Sequence, residues 1–107
     1  MKNWHLLIVE DDPDGREVIS RILTHHKITH DLAISGEDGL ELIAEKGVGY
    51  TLCVVDLDLP QINGWGLLEF IKNNEATAGL PFIAVTAYDT PEVAISALES
   101  GFLSYYA

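Results

Sequence analysis

TLCVVDLDLPQING, residues 51 to 64, opens as an apolar, β-branched run and ends in two aspartates one residue apart, Asp56 and Asp58. A short run that is apolar at nearly every position fits a parallel strand with helices on both faces, because both rows of side chains are then out of water. A carboxylate closing such a run stands at the rim of a buried sheet. HLLIV (5–9) and PFIAV (81–85) have the same character, ITHDLAI (28–34) is more mixed and reads as an edge strand, and the aromatic FLSYYA (102–107) is a fifth candidate.

Helix signals fill the intervals. Asp12 is placed to cap a helix with Pro13 at its first position, and Val18, Ile19, Ile22 and Leu23 fall on one stripe. Ser35 caps a second helix that turns Leu40, Ile43 and Ala44 inward. Asn63 and Gly64 open a third, with Leu67, Leu68 and Ile71 apolar, and Thr90 and Pro91 start a fourth that carries Val93, Ala94, Ala97 and Leu98 and stops at Gly101. Strand and helix alternate, and crossovers between parallel strands are right-handed. The pattern therefore predicts a doubly wound α/β domain with a parallel sheet.

Composition narrows the setting. The 107 residues, 48% of them hydrophobic, are one domain's worth of chain, without repeat or linker. Six basic against 17 acidic residues give a formal charge of −11, which argues against direct nucleic acid binding and against anionic membranes. The N-terminal MKNWHLLIVEDD fits neither a secretory leader nor a membrane span, so a cytoplasmic protein is expected. Cys53, the single cysteine, lies among apolar neighbours and reads as core.

Ligands of doubly wound sheets sit beyond the carboxyl ends of the strands, where the winding reverses. Glu10 and Asp11 end the first strand, Asp56 and Asp58 the third, and Thr86 the fourth. Clustered carboxylates resist full ionisation unless a cation joins them, and a hard divalent ion with oxygen ligands, most simply Mg²⁺, is the natural neutraliser. His25, His26 and His30 read as solvated surface residues, Trp65 as core cover, and Leu59, Pro60 and Gly64 as loop geometry. Asp12 is a helix cap in this reading, not a ligand.

LLIVEDDPDGREVI, VVDLDLPQINGWGLL, IAVTAYD and GFLSYYA resemble, in order, the signature segments of receiver domains of two-component response regulators. The likeness spans essentially the whole chain, and the separations of 45 positions from Asp11 to Asp56 and 30 from Asp56 to Thr86 are close to the family's. It implies a flavodoxin-like five-stranded sheet of order 2-1-3-4-5. It makes Asp56 the residue that accepts a phosphoryl group from the phosphohistidine of a sensor histidine kinase or phosphotransfer protein. Mg²⁺ would be held by the carboxylates of Asp11 and Asp56, by the backbone carbonyl of Asp58, and by Glu10 directly or through water. Thr86 would donate its hydroxyl to the phosphoryl oxygens, and Tyr105 would change position with them. Asp58 and Tyr88 stand where side chains affect the lifetime of the phosphorylated state. The domain would assist its own phosphorylation and dephosphorylation without being an enzyme in the ordinary sense, and would switch an output or partner.

Two other classes stay open. VVDLDLP also resembles the motif of haloacid-dehalogenase-type phosphatases, with Asp56 as nucleophile and Asp58 as acid and base, although Pro60 and the position on the third strand depart from that pattern. A receiver-like interaction module that is never phosphorylated is the other. The family's Lys after the fifth strand would follow Ala107, and a fifth helix after it; both are absent from residues 1–107, so a receiver domain truncated after its fifth strand is expected, with self-association through the fourth helix and fifth strand.

Overall fold

In a computed structural model, which describes residues 4–46, 49–56, 64–73, 79–85 and 104–106, the apolar runs lie side by side as parallel strands. Strands β1 (His5–Val9), β2 (Thr29–Ala33), β3 (Leu52–Asp56) and β4 (Phe82–Val85) take the order β2-β1-β3-β4, and a three-residue strand β5 (Ser104–Tyr106) pairs with β4. Helices α1 (Pro13–His25), α2 (Gly36–Lys46) and α3 (Gly64–Lys72) connect them. The helix expected from Thr90 to Gly101 lies outside the described residues, as does Asn63. From β1 the chain steps one way to β2 and then back across to β3. Right-handed crossovers place α1 on one face of the sheet and α2 and α3 on the other.

The core lies mainly on the α2 and α3 side. Register puts Leu7, Cys53 and Phe82 in one row and Val9, Val55 and Ala84 in the next, and Ile43, Leu67, Leu68 and Ile71 pack onto these rows, with Trp65 half-buried against them. On the other face Leu6 and Ile8 are buried, but Val54 and Ile83 are only half-buried. That thinner cover corrects the expectation for α1. None of its residues is buried: Val18 and Ile22 are 55% and 53% exposed, and only Ile19 and Leu23 of the stripe are half-covered. Among the described helices α1 stands alone on its face and rests chiefly against the edge strand β2, so the sheet meets one side of the stripe only.

Two further readings are corrected. Ala44 is exposed; α2 turns Gly36, Gly39 and Ile43 inward, because the missing side chain at Gly39 lets the helix come close to Val9. His30 is half-buried rather than solvated, its ring bonded to Ser20 Oγ and to the Ile28 carbonyl, both at 2.9 Å. The caps are where the sequence puts them. Asp12 accepts the Asp14 N–H at 3.3 Å ahead of Pro13, while Ser35 accepts the Asp38 N–H at 3.0 Å and Asp38 reaches back to the Ile34 N–H. Cys53 is fully buried, and burial pushes its thiol well above the usual range, which keeps it protonated and inert.

Candidate functional site

β1 lies between β2 and β3, so the chain's winding reverses at the carboxyl end of β1, beside β3. Glu10 and Asp11 are the first two residues beyond β1, and Asp56 is the last residue of β3, one step past the pairing of Val9 with Val55. The sheet thus delivers three carboxylates to one crevice. One oxygen from each of Glu10, Asp11 and Asp56 lies within 4.8 Å of the others. Glu10 and Asp56 are half-buried and Asp11 is exposed, so the cluster is open to solvent on the Asp11 side.

The turn from β1 into α1 holds these groups in place. The Glu10 N–H continues the sheet by donating to the Ala33 carbonyl at 3.1 Å, and Glu10 Oε1 accepts the Asp12 N–H at 3.0 Å. Gly15, in the first turn of α1, lies beside the Glu10 side chain, whose Cγ would be in ordinary contact, at 3.4 Å, with a Cβ there. Burial is the main force on the Glu10 carboxyl and pushes it up to about 7, helped by the charges of Asp56 and Asp11 and opposed by the Asp12 N–H. A proton or a cation must settle such a cluster. Oxygen-only donors that converge at this distance suit a hard divalent ion such as Mg²⁺, with Glu10, Asp11 and Asp56 as the holding residues.

Of the residues singled out in the sequence, the structure brings together Glu10, Asp11 and Asp56. Asp58, Thr86 and Tyr88 lie outside the described residues, and Tyr105 is placed by its backbone on β5 but not by its side chain. Sequence reasoning missed Arg16, whose Nη1 donates to the carbonyls of Glu10 at 3.0 Å and Asp11 at 2.9 Å. Its signal was available: a cation in the opening turns of a helix, where the macrodipole disfavours positive charge.

A doubly wound α/β domain with an acidic crevice at its switch point is the class that fold and site define. The chain belongs to the response regulator receiver domain family, whose model matches residues 6–106. It is 36% identical over 100 residues to the transcriptional regulatory protein CusR of Escherichia coli K12, covering 94% of this chain and 42% of CusR. It is 30% identical to the response regulator protein PilR of Pseudomonas aeruginosa, covering 98% of this chain and 23% of PilR. The chain therefore spans about two fifths or less of these relatives. Among solved structures, a putative response regulator from Chloroflexus aurantiacus superposes with a TM-score of 0.87 at 29% identity, over 97% of this chain and 84% of that one. The likeness extends over nearly all of the chain, whereas the phosphatase resemblance rests on the Asp56–Asp58 motif alone. This is a receiver domain of two-component signal transduction, with the flavodoxin-like parallel sheet and helices of that family. Among the described residues no helix is long and apolar enough to cross a membrane.

Proposed function

We propose that this receiver is a working phosphoacceptor: Asp56 takes a phosphoryl group from the phosphohistidine of a sensor histidine kinase or phosphotransfer protein, with Mg²⁺ required, and the modified domain switches an output. The observation that carries the reading is the convergence of Asp56 with Glu10 and Asp11 at the switch point. Bound Mg²⁺ would supply charge neutralisation for the acids and for the oxygens of the transferring group. The chain's own residues do the rest. An Asp56 carboxylate oxygen forms the new bond to phosphorus as the bond from phosphorus to the donor's imidazole nitrogen breaks, and the freed imidazole leaves with the electron pair. Held at the end of a central strand, Asp56 meets its donor in a fixed orientation, which substitutes for intrinsic nucleophilicity.

Asp58 would contribute its backbone carbonyl to the metal, Thr86 would donate its hydroxyl to the new phosphoryl oxygens, and Tyr105 would relay the change. In this reading the pairing of Ser104–Tyr106 with β4 is the outer strand of a five-stranded sheet of order 2-1-3-4-5, and the segment from Thr90 to Gly101 together with that strand forms the surface for self-association. The domain works in the cytoplasm, makes no direct contact with nucleic acid, and acts as a self-assisting phosphoacceptor, not as an enzyme on separate substrates. The output of the whole protein would be carried elsewhere, as the name of CusR, a transcriptional regulatory protein, suggests by analogy.

The test is intact mass after incubation with acetyl phosphate and Mg²⁺. Wild type should gain one phosphoryl group and Asp56→Asn none; equal gain in both would refute the assignment. Asp58→Asn should still be phosphorylated on Asp56, with at most a changed lifetime. The phosphatase alternative instead requires steady wild-type turnover of a phosphoester, falling by about 10²- to 10⁴-fold in that variant as a general acid and base is lost.

A further inference from the structure

Arg16 bonds three successive carbonyls of the turn that carries the acids. Its Nη1 donates to those of Glu10 and Asp11, at 3.0 and 2.9 Å, and its own backbone N–H donates to that of Asp12 at 3.0 Å. With all three carbonyls held, the peptide units on either side of Asp11 cannot rotate independently, and their orientation decides where the Glu10 and Asp11 side chains point. Among the described residues the guanidinium makes no ion pair, in a chain with 17 acids to choose from. It bonds the main chain of the turn that carries the acids, and so brings positive charge to that turn without occupying carboxylate oxygens. An arginine paired directly with Asp11 would compete with a cation; this one does not.

We propose that Arg16 is a positioning residue of the acidic site: by clamping the turn between β1 and α1 it aims Glu10 and Asp11 at Asp56, and it thereby sets the affinity of the crevice for Mg²⁺. The proposal rests on the phosphoacceptor reading for its consequence, but its test does not. Groups that orient metal ligands from behind are typically worth 10- to 100-fold in metal affinity. The clamp's position at the start of α1 is electrostatically unfavourable for a cation, and bonding to two carbonyls offsets that cost.

The experiment measures Mg²⁺ affinity by calorimetry, with Mg²⁺ alone as the probe, for wild type, Arg16→Met and Arg16→Lys, each checked for folding by circular dichroism. Arg16→Met, which keeps the length of the stem and loses donors and charge, should bind Mg²⁺ about 10-fold more weakly or worse. Arg16→Lys should fall between it and wild type. A residue that served folding alone would lower the melting temperature and leave the affinity unchanged. Should Arg16→Met fail to fold, Arg16→Gln, which keeps a donor for a carbonyl, is read by the same criterion. A dissociation constant within about twofold of wild type in either folded, uncharged variant overturns the proposal; so does failure of both to fold while Asp11→Ala folds. Failure of the phosphoacceptor reading is seen separately, as a wild type that binds Mg²⁺ yet gains no phosphoryl group on Asp56.

Discussion

Asp31 shows how much of this chain's chemistry is decided one residue at a time. A single oxygen, Oδ2, accepts the Tyr50 hydroxyl at 2.6 Å and lies 3.3 Å from His5 Nε2 and 3.7 Å from Lys46 Nζ. The Tyr50 bond is the chief cause that holds the Asp31 carboxyl below its ordinary value, with Lys46 and His5 adding to it against the effect of burial. A carboxyl with a depressed folded pKa contributes stability above its unfolded pKa, ordinarily 3.8, and that contribution is lost as pH falls through the lower folded value. Tyr50→Phe keeps the buried ring and removes the donor, so it should cost about 1–2 kcal/mol near neutral pH. Urea midpoints of the two proteins, followed from about pH 7 to about pH 3, should converge at the acid end as Asp31 loses its charge. A gap that persists undiminished at the acid end would separate the bond from the charge. None of this was legible in the sequence, because His5, Asp31 and Tyr50 come from separate segments and only the pairing of β1 with β2 on one side and with the β3 segment on the other brings them together. Arg16 went unread for a related reason: its partners are carbonyls, and a sequence displays only side chains.

At the scale of the element, what sequence displays best is where helices begin. Asp12 before Pro13 and Ser35 ahead of Asp38 are local signals, complete within one turn, and both caps form as read. Helix ends and helix faces are harder. α1 closes with the Ile28 N–H on the Leu23 carbonyl at 2.8 Å and the Lys27 N–H on the Thr24 carbonyl at 3.0 Å, an arrangement that puts Lys27 at φ 58°. Glycine is the usual residue there, and nothing about a lysine signals the turn. Lys27→Gly relieves the left-handed conformation and should raise stability by about 1 kcal/mol, measured by urea denaturation. Two other glycines give opposite results for one substitution. At Gly15 a Cβ would have only ordinary contacts, the nearest at 3.4 Å, so Gly15→Ala should gain about 0.5–1 kcal/mol from helix propensity. At Gly39 the Cβ would stand 3.1 Å from Val9 Cγ2, between α2 and β1 and tighter than ordinary contact, so Gly39→Ala requires Val9 or the helix to shift and should be the less stable of the pair. If both alanine variants are equally stabilised, α2 is not pressed against β1 as described. The inward face of α2 was misassigned at Ala44 because periodicity alone does not reveal which row makes the close approach.

For the whole molecule, strand order turns a scattered set of acids into a site. Glu10, Asp11 and Asp56 could be placed from sequence because each closes an apolar run, and in a parallel sheet all runs end at the same edge. Their cost is also collective, since they meet in a chain whose formal charge is −11. The Glu10 carboxyl, pushed up to about 7 from an ordinary 4.5 by burial and by its acidic neighbours, gives that cost a pH dependence. A raised folded pKa means that the native state keeps a proton which the unfolded chain gives up. Its stabilising contribution is whole below the unfolded value of 4.5 and is lost as pH rises through about 7. Mg²⁺ competes for the same oxygens, so its affinity should strengthen over that window as the proton leaves. Thermal melts at about pH 5.5 and about pH 7.5, with Mg²⁺ against sodium chloride of equal ionic strength, separate a bound ion from general screening of a highly charged chain. Binding to the native state alone at ten times the dissociation constant stabilises by about 1.4 kcal/mol. The Mg²⁺ increment should therefore exceed the sodium increment at the higher pH, shrink at the lower one, and vanish in Asp11→Ala. Equal increments from the two salts at both pH values would mean that the three acids meet at the switch point without forming a metal site.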